Sequence, residues 1–147
     1  MIFKGRHEHS LDSKGRVFIP AEYRKGLGET FVVTRAFFDP CLWVFSQEAF
    51  EALSNKMEDF SLLDESTLSL ERILYNSACD VSADKQGRII LSQDLRDYAG
   101  IGKDVVITGS RNRLDIWDKA TWEKQHAADQ ESFRQSVQDL RQRGVRI

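Results

Sequence analysis

The sequence predicts an α+β fold with a mainly β core, built from two copies of a unit of about 40 residues. The first observation is a repeat at an offset of 72 residues, which carries Asp12 and Arg16 onto Asp84 and Arg88. The second is that each copy alternates short apolar runs with glycine-containing turns, as strands and hairpins do. The third is a longer helical pattern after each copy. We therefore expect two units in a pseudo-two-fold arrangement with flanking helices.

The repeat extends beyond the turns and matches apolar positions with apolar ones. The further matched pairs are residues 17–19 with 89–91, Arg24 with Arg96, and Gly28 with Gly100. After a two-residue insertion around Gly102-Lys103, residues 31–34 match 105–108. We divide the chain into a first unit at 5–47, a helical connector at 48–78, a second unit at 79–121 and a C-terminal helix or tail at 122–147.

The sequence pattern of each unit predicts the same elements in the same order. A short strand enters a tight turn, in which Gly15 or Gly87 supplies the positive φ that such turns need. The strands that leave the turns, residues 17–19 and 89–91, are continuously apolar and should be buried on both faces. A short helix ends at Gly28 or Gly100 in the left-handed conformation, with Ser92 capping the second such helix. A hairpin closes each unit, at 30–35 with 42–45 and at 104–109 with 114–117.

Longer helices follow the units. Ser46 can cap the first, whose apolar stripe comprises Ala49, Phe50, Leu53, Met57 and Phe60. Another helix is expected at about 65–77. Asp118 can cap the last helix, in which Trp122 is the main apolar anchor. From His126 onward this helix is sparsely apolar, so it is either solvated or binds a partner.

Composition excludes several classes of function. The chain has 147 residues and a formal net charge of −2, which argues against a general polycationic nucleic-acid binder. The charge is uneven, however: residues 1–35 carry +3, whereas residues 47–80 carry −6. No apolar run approaches the roughly 18 residues of a membrane span, and the first 30 residues lack a signal-peptide core, so we expect neither membrane insertion nor export.

Catalytic and metal sites find little support. The segment His7-Glu8-His9 places two imidazoles on one side of a strand, but no third ligand is suggested by spacing. The two cysteines, Cys41 and Cys79, have no metal-site or disulfide spacing and are expected to be buried. No nucleophile elbow or glycine-rich phosphate loop is present. We therefore expect no enzyme activity, no metal and no cofactor.

The two Asp-to-Arg turns are the remaining candidates. A single turn of this kind is most simply a cross-strand ion pair with a structural role. The duplication favours DNA binding, because guanidinium groups match both phosphate oxygens and the O6/N7 edge of guanine. Each carboxylate would accept turn N–H groups and hold the adjacent arginine. The candidate DNA-binding residues are Arg16, Arg88, Lys14 and Lys85 at the turns, and Lys4, Arg6 and His7 on the strand that enters the first turn. The candidate turn-organising residues are Asp12, Asp84, Gly15 and Gly87.

These residues resemble the bacterial MraZ family. The resemblance rests on Phe3-Lys4-Gly5, the run from His9 to Arg16, Ile19-Pro20, the run from Asp84 to Arg88, and the run from Leu114 to Asp118. It implies two AbrB-like swapped-hairpin β-barrel units in one chain. It also implies a cytoplasmic, nucleoid-associated transcriptional regulator that binds direct repeats in double-stranded DNA upstream of the division and cell-wall gene cluster, including its own promoter. Family members assemble as homo-oligomeric rings.

Two alternatives stay open. In the first, the units form a non-catalytic protein-assembly module and the turns are purely structural. In the second, the chain is an antitoxin-type regulator that pairs with a toxin, although the fused repeat and the lack of a long toxin-wrapping tail argue against this. The residues indicate neither the ring size nor the operator sequence, nor whether the regulator represses or activates.

Overall fold

A computed structural model describes residues 1–59 and 64–147. Within these residues eight strands and five helices follow one another in two similar series. The first series is β1 (Arg6–Ser10), β2 (Arg16–Phe18), α1 (Ala21–Leu27), β3 (Thr30–Arg35), β4 (Leu42–Ser46) and α2 (Gln47–Met57), followed by the connecting helix α3 (Glu65–Ser77). The second is β5 (Cys79–Ser82), β6 (Arg88–Ile90), α4 (Gln93–Ala99), β7 (Asp104–Gly109), β8 (Leu114–Asp118) and α5 (Lys119–Gln142).

The two units exchange strands. A six-stranded antiparallel sheet has the order β1-β7-β8-β4-β3-β5, and a two-stranded antiparallel ribbon joins β2 to β6. Among the described strands, only β3–β4 and β7–β8 are hairpins within one unit. Every other described pair joins a strand of the first unit to one of the second. If each strand is replaced by its equivalent in the other unit, the same strand pairings result in both sheets. The α+β prediction with a duplicated, pseudo-two-fold β core is confirmed.

Strands β4 and β8 are buried on both faces and separate two apolar clusters. Leu42 and Val44 point into the main core, together with Leu114 and Ile116. The outer cluster lies on the other face and comprises Ala36, Cys41, Trp43, Phe45 and Trp117, packed against Ala49, Phe50, Leu53 and Trp122 of α2 and α5. Alternation along the strands therefore supplies side chains to both layers.

The β2–β6 ribbon corrects one prediction. Val17 and Ile89 are 1% exposed, as expected, but Phe18 is only half-buried and Ile90 is 63% exposed. The two strands pair with each other and place one face on the core, so alternate side chains point outward. Burial on both faces was the wrong interpretation of these apolar runs.

Helix ends confirm some predictions and correct others. The Ser46 hydroxyl accepts from the Ala49 N–H at 3.1 Å, and Ser92 accepts from Leu95 at 3.3 Å. Gly100 adopts the left-handed conformation, with φ 61° and ψ 30°.

Cys41 is buried, as expected, whereas Cys79 is half-buried.

Two predicted helix ends differ in the structure. Gly28 has a positive φ of 89°, but its ψ of −173° lies outside the αL conformation that was predicted for it. Asp118 precedes α5 without capping it through its side chain. Its carboxylate instead accepts the Gly102 N–H at 3.2 Å, which ties the loop before β7 to the start of the helix.

Helix α5 contains no buried residue over its 24 positions. Trp122 packs on the outer cluster, as predicted, while Phe133 is 66% exposed. The choice between a solvated and a partner-binding helix therefore stays open. The predicted α2 stripe is half-buried to buried from Ala49 to Met57, and its last member, Phe60, lies outside the described residues. No described helix combines the length and hydropathy needed to cross a membrane.

Candidate nucleic-acid interface

The first turn is organised by the Asp12 carboxylate. Its Oδ1 accepts the backbone N–H groups of Lys14 and Arg16, both at 2.9 Å, and its Oδ2 accepts the Arg16 Nε–H at 2.6 Å. Backbone hydrogen bonds from Asp12 N to Arg16 O and from Gly15 N to Asp12 O close the turn, each at 3.0 Å. These interactions lower the pKa of Asp12. The main cause is the hydrogen bond from the Arg16 backbone N–H, and the hydrogen bonds from the Arg16 side chain and the Lys14 backbone add to it.

The second turn repeats this geometry. Asp84 Oδ1 accepts from the backbone of Gln86 and Arg88 at 2.9 Å, and its Oδ2 accepts the Arg88 Nε–H at 3.0 Å. Hydrogen bonding, chiefly from the Arg88 backbone, lowers the pKa of Asp84 too. Two carboxylates therefore hold two arginines in the same way, and the guanidinium groups keep further N–H donors.

The two turns lie side by side on one surface. Ribbon hydrogen bonds run from Ile19 N to Gly87 O and from Leu91 N to Gly15 O, both at 2.9 Å. Arg88 Nη1 lies 3.7 Å from Asp12 Oδ2, so the second turn also contacts the carboxylate of the first. The structure thus brings together the turn residues that the sequence repeat singled out.

Arg24 and Arg96 join this surface, although they were not among the predicted site residues. Each comes from a helix and lies over the turn of the other unit. A methyl group added at Gly15 would lie 3.1 Å from the Arg96 Cζ, and one at Gly87 would lie 3.0 Å from the Arg24 Cζ. The Arg24 Nε–H donates to the Ile19 carbonyl at 2.8 Å, and Arg96 makes the equivalent bond at 3.1 Å. The signal was present in the repeat, which aligns the two arginines.

We call the four arginines around the two turns the arginine rim; they are Arg16, Arg24, Arg88 and Arg96. The side chains of Arg16 and Arg88 are 27% and 30% exposed, respectively. Lys14 and Lys85, within the turns, are exposed. The rim thus presents cationic donors to solvent on the outer face of the ribbon.

The structure does not bring the other three candidates to the rim. Arg6 lies at the end of β1 away from the turn, where its guanidinium sits 5.0 Å from the Trp122 ring centroid and Nη1 is 3.3 Å from His126 Nε2. His7 packs edge-to-face on Tyr23, with centroids 5.2 Å apart. Lys4 precedes β1 instead of lying on it, and its carbonyl accepts the Tyr23 hydroxyl at 2.7 Å.

The two imidazoles of His7 and His9 do lie on the same side of β1, with centroids 6.4 Å apart. Burial, with a smaller contribution from His7, lowers the pKa of His9. The rings contact Tyr23 and Phe18, which accounts for their orientation without a metal. Among the described residues no group of three or more His, Cys, Asp or Glu side chains is placed to hold a metal ion.

The carboxylate of Asp115 is buried and lies away from the two turns. Asp115 is 8% exposed and accepts from Ser110 Oγ and Arg113 Nε, both at 2.9 Å. Burial raises the pKa of Asp115, and the two donors only partly offset that effect. Arg113 in turn stacks 4.4 Å from the Trp43 ring centroid, so this cluster supports the outer apolar layer.

Comparison with known proteins decides the family. The family model described as "MraZ protein, putative antitoxin-like" matches residues 2–73 and again residues 74–144. The chain belongs to the MraZ family. The two matches start 72 residues apart (residue 74 against residue 2), which is the offset of the repeat in the sequence.

Three MraZ relatives cover nearly the whole chain, and each is named "Transcriptional regulator MraZ". That of Acetivibrio thermocellus is 40% identical over 136 residues, covering 92% of this chain and 94% of the relative. That of Natranaerobius thermophilus is 40% identical over 95% of this chain and 96% of the relative. That of Desulforamulus reducens is 34% identical over 95% and 97%, respectively. These names denote regulators, not enzymes, in agreement with the prediction of a non-catalytic protein.

Proposed function

We propose that this chain is a sequence-specific DNA-binding transcriptional regulator and that the arginine rim is its contact with the duplex. The observation that carries the proposal is the pair of carboxylate-organised turns, placed side by side by the β2–β6 ribbon. The names of the MraZ relatives support the regulatory role.

The chemistry of the rim suits a nucleic acid. Arginine offers a planar fork of donors that matches a phosphate or the major-groove edge of guanine. The aspartates use both carboxylate oxygens within the turns, so they orient the arginines instead of presenting a free anion to phosphate. A concentrated cationic surface of this kind binds DNA despite the net charge of −2.

The family resemblance implies a more specific role. We propose that the regulator binds direct repeats upstream of the division and cell-wall gene cluster, including its own promoter, and that it is cytoplasmic and nucleoid-associated. We also propose that it acts as a ring of subunits. One chain offers few phosphate contacts, but linked binding to several repeats can add roughly 10²–10⁴ in avidity.

A mobility-shift assay at two salt concentrations tests the role of the rim. The probe is the duplex upstream of the chain's own gene, and the variant is Arg16→Ala with Arg88→Ala. The slope of log K against log salt is negative, and each lost phosphate contact reduces its magnitude by about 0.9. We therefore expect the magnitude to fall by up to about 1.8, together with lower affinity. The matched control, Arg72→Ala with Arg134→Ala, removes two exposed arginines of α3 and α5 and should bind like the parent. A folded rim variant that still binds specific DNA with full affinity contradicts the proposal.

The repeats themselves supply a second test. Mutating one box in the upstream duplex should cost more than the contacts of that box alone, because the remaining boxes lose their linkage. Equal and independent losses for each box would argue against simultaneous binding by an oligomer.

An antitoxin-type function is the second candidate, and α5 is the observation that favours it. The helix exposes Phe133 and Leu140 along a surface without a buried residue, which suits binding to another protein. Truncation after residue 126 distinguishes the two functions: DNA binding by the rim should survive it, whereas capture of a toxin encoded beside this gene should not.

A further inference from the structure

The outer face of the β2–β6 ribbon presents four side chains in a fixed pattern. The antiparallel register pairs Arg16 with Ile90 and Phe18 with Arg88, while Val17 and Ile89 between them point into the core. Each arginine therefore has an apolar neighbour across the ribbon and another two positions along its own strand. The pattern is a two-by-two checkerboard of arginine and apolar residues.

The two apolar positions are equivalent in the repeat but differ in their surroundings. Phe18 is half-buried: its ring packs edge-to-face on His9 with centroids 5.3 Å apart, and the Arg24 Cζ lies 5.6 Å from its centroid. Its edge also covers Gly87, where an added methyl group would lie 2.7 Å from Phe18 Cε1. This aromatic side chain is held down against the second turn.

Ile90, by contrast, is 63% exposed. The glycine equivalent to Gly87 is Gly15, and the atoms nearest to a methyl group added there belong to the Arg96 guanidinium, not to Ile90. Ile90 thus extends from the ribbon between Arg88 on its own strand and Arg16 across from it. A branched apolar side chain stands clear of the core in the middle of the arginine rim.

We propose that Ile90 is a specificity-determining residue that contacts the 5-methyl group of a thymine in the major groove. The inference rests on the proposed DNA-binding function. A two-stranded ribbon fits the major groove, and the thymine methyl is the apolar feature of the base edges there. Arginines on both sides place Ile90 where the base edges would lie. Phe18, packed between His9 and Arg24, makes no such contact, so the two halves of the rim read different bases.

Deoxyuridine provides the direct probe because it differs from thymidine only by this methyl group. Thymines of one box in the upstream duplex are replaced one at a time, and binding is measured for the parent and for Ile90→Ala. Loss of one buried methyl contact, at about 0.8 kcal/mol and 1.4 kcal/mol per tenfold, predicts about fourfold weaker binding. We expect the parent to show this loss at one thymine and the variant to be insensitive there. Ile73→Ala on α3, which removes another half-exposed isoleucine, should behave like the parent.

The outcomes separate this inference from the proposed function. The inference is overturned if Ile90→Ala keeps the parent's discrimination at every position, or if no thymine matters to the parent. It is also overturned if Ile90→Ala changes the size of the assembly in gel filtration, because the side chain then serves a subunit contact. In all these cases the proposed function stands, provided that Arg16→Ala with Arg88→Ala lowers the affinity and its salt dependence. If the parent does not bind the duplex, both fall together.

Discussion

Replacing Gly87 by alanine tests whether side chains of the first unit are seated on the turn of the second. Gly87 has φ +82°, a conformation that costs an L-residue roughly 1–2 kcal/mol. The new methyl group would also lie 2.7 Å from Phe18 Cε1 and 3.0 Å from Arg24 Cζ, closer than carbon atoms pack. Displacing packed groups in this way costs about 1–3 kcal/mol more. The expected loss in the free energy of unfolding is therefore about 2–5 kcal/mol.

Gly100→Ala is the matched control, since it has φ +61° and no atom within 4 Å of the added methyl group. It should lose only the conformational cost, about 1–2 kcal/mol. Gly15→Ala should fall between the two, because its nearest neighbour, 3.1 Å away, is the flexible end of Arg96. Urea unfolding, followed by circular dichroism, measures all three. Equal losses for Gly87→Ala and Gly100→Ala would refute the seating of Phe18 and Arg24 on the turn.

Three further predictions concern pH and the last helix. The pKa values of Asp12 and Asp84 are lowered in the folded turns, so the stability they contribute is complete above the ordinary aspartate pKa and is lost as pH falls through the lowered values. In urea unfolding between about pH 5 and pH 2, the free energy of unfolding should therefore fall less for Asp12→Asn with Asp84→Asn than for the parent. The pKa of Asp115 is raised, so its contribution has the opposite sign: the free energy of unfolding falls as pH rises from about 4 through that pKa. Asp115→Asn should remove this fall, and an unchanged pH profile would contradict the raised pKa of Asp115. Trp122→Ala removes the ring that stacks on His126 and lies under the Arg6 guanidinium. In urea unfolding the free energy of unfolding should fall by about 1–3 kcal/mol, less than for a fully buried tryptophan. A fall of under about 0.5 kcal/mol would mean that α5 is anchored by other residues.

Local patterns in the sequence were enough to predict most elements of the fold. The strands Thr30–Arg35 and Asp104–Gly109 and the helix Glu65–Ser77 have the predicted bounds, because short-range alternation, periodicity and capping signals determine them. Strand exchange between the units is different, because it depends on which surfaces meet after the turns have formed. Residue patterns alone did not predict it, and the expectation came from the family resemblance. The unit boundaries at 5–47 and 79–121 stay predictions.

The candidate site was predictable to the extent that it is local. Asp12 and Arg16 are four residues apart, so turn chemistry alone predicts their contact. Arg24 reaches the turn around Gly87 only through the exchange of strands, and no local rule identifies that contact. Arg6 shows the converse case: it lies near the first turn in sequence, but its guanidinium lies over the Trp122 ring of α5 and not at the rim.

The arginine rim is formed by residues of both units, and because the units are fused in one chain, equivalent positions in the rim can carry different residues. Arg88 approaches Asp12, Arg24 lies over Gly87 and Arg96 lies over Gly15, so neither unit presents a complete surface by itself. In a dimer of identical units, any change to a reading residue would appear on both sides of the two-fold axis and would favour a palindromic site. A fused chain can keep the arginines in both copies and still place Phe18 in one and Ile90 in the other. Such a surface has a direction, and this suits the proposed binding to direct repeats, in which every box has the same orientation.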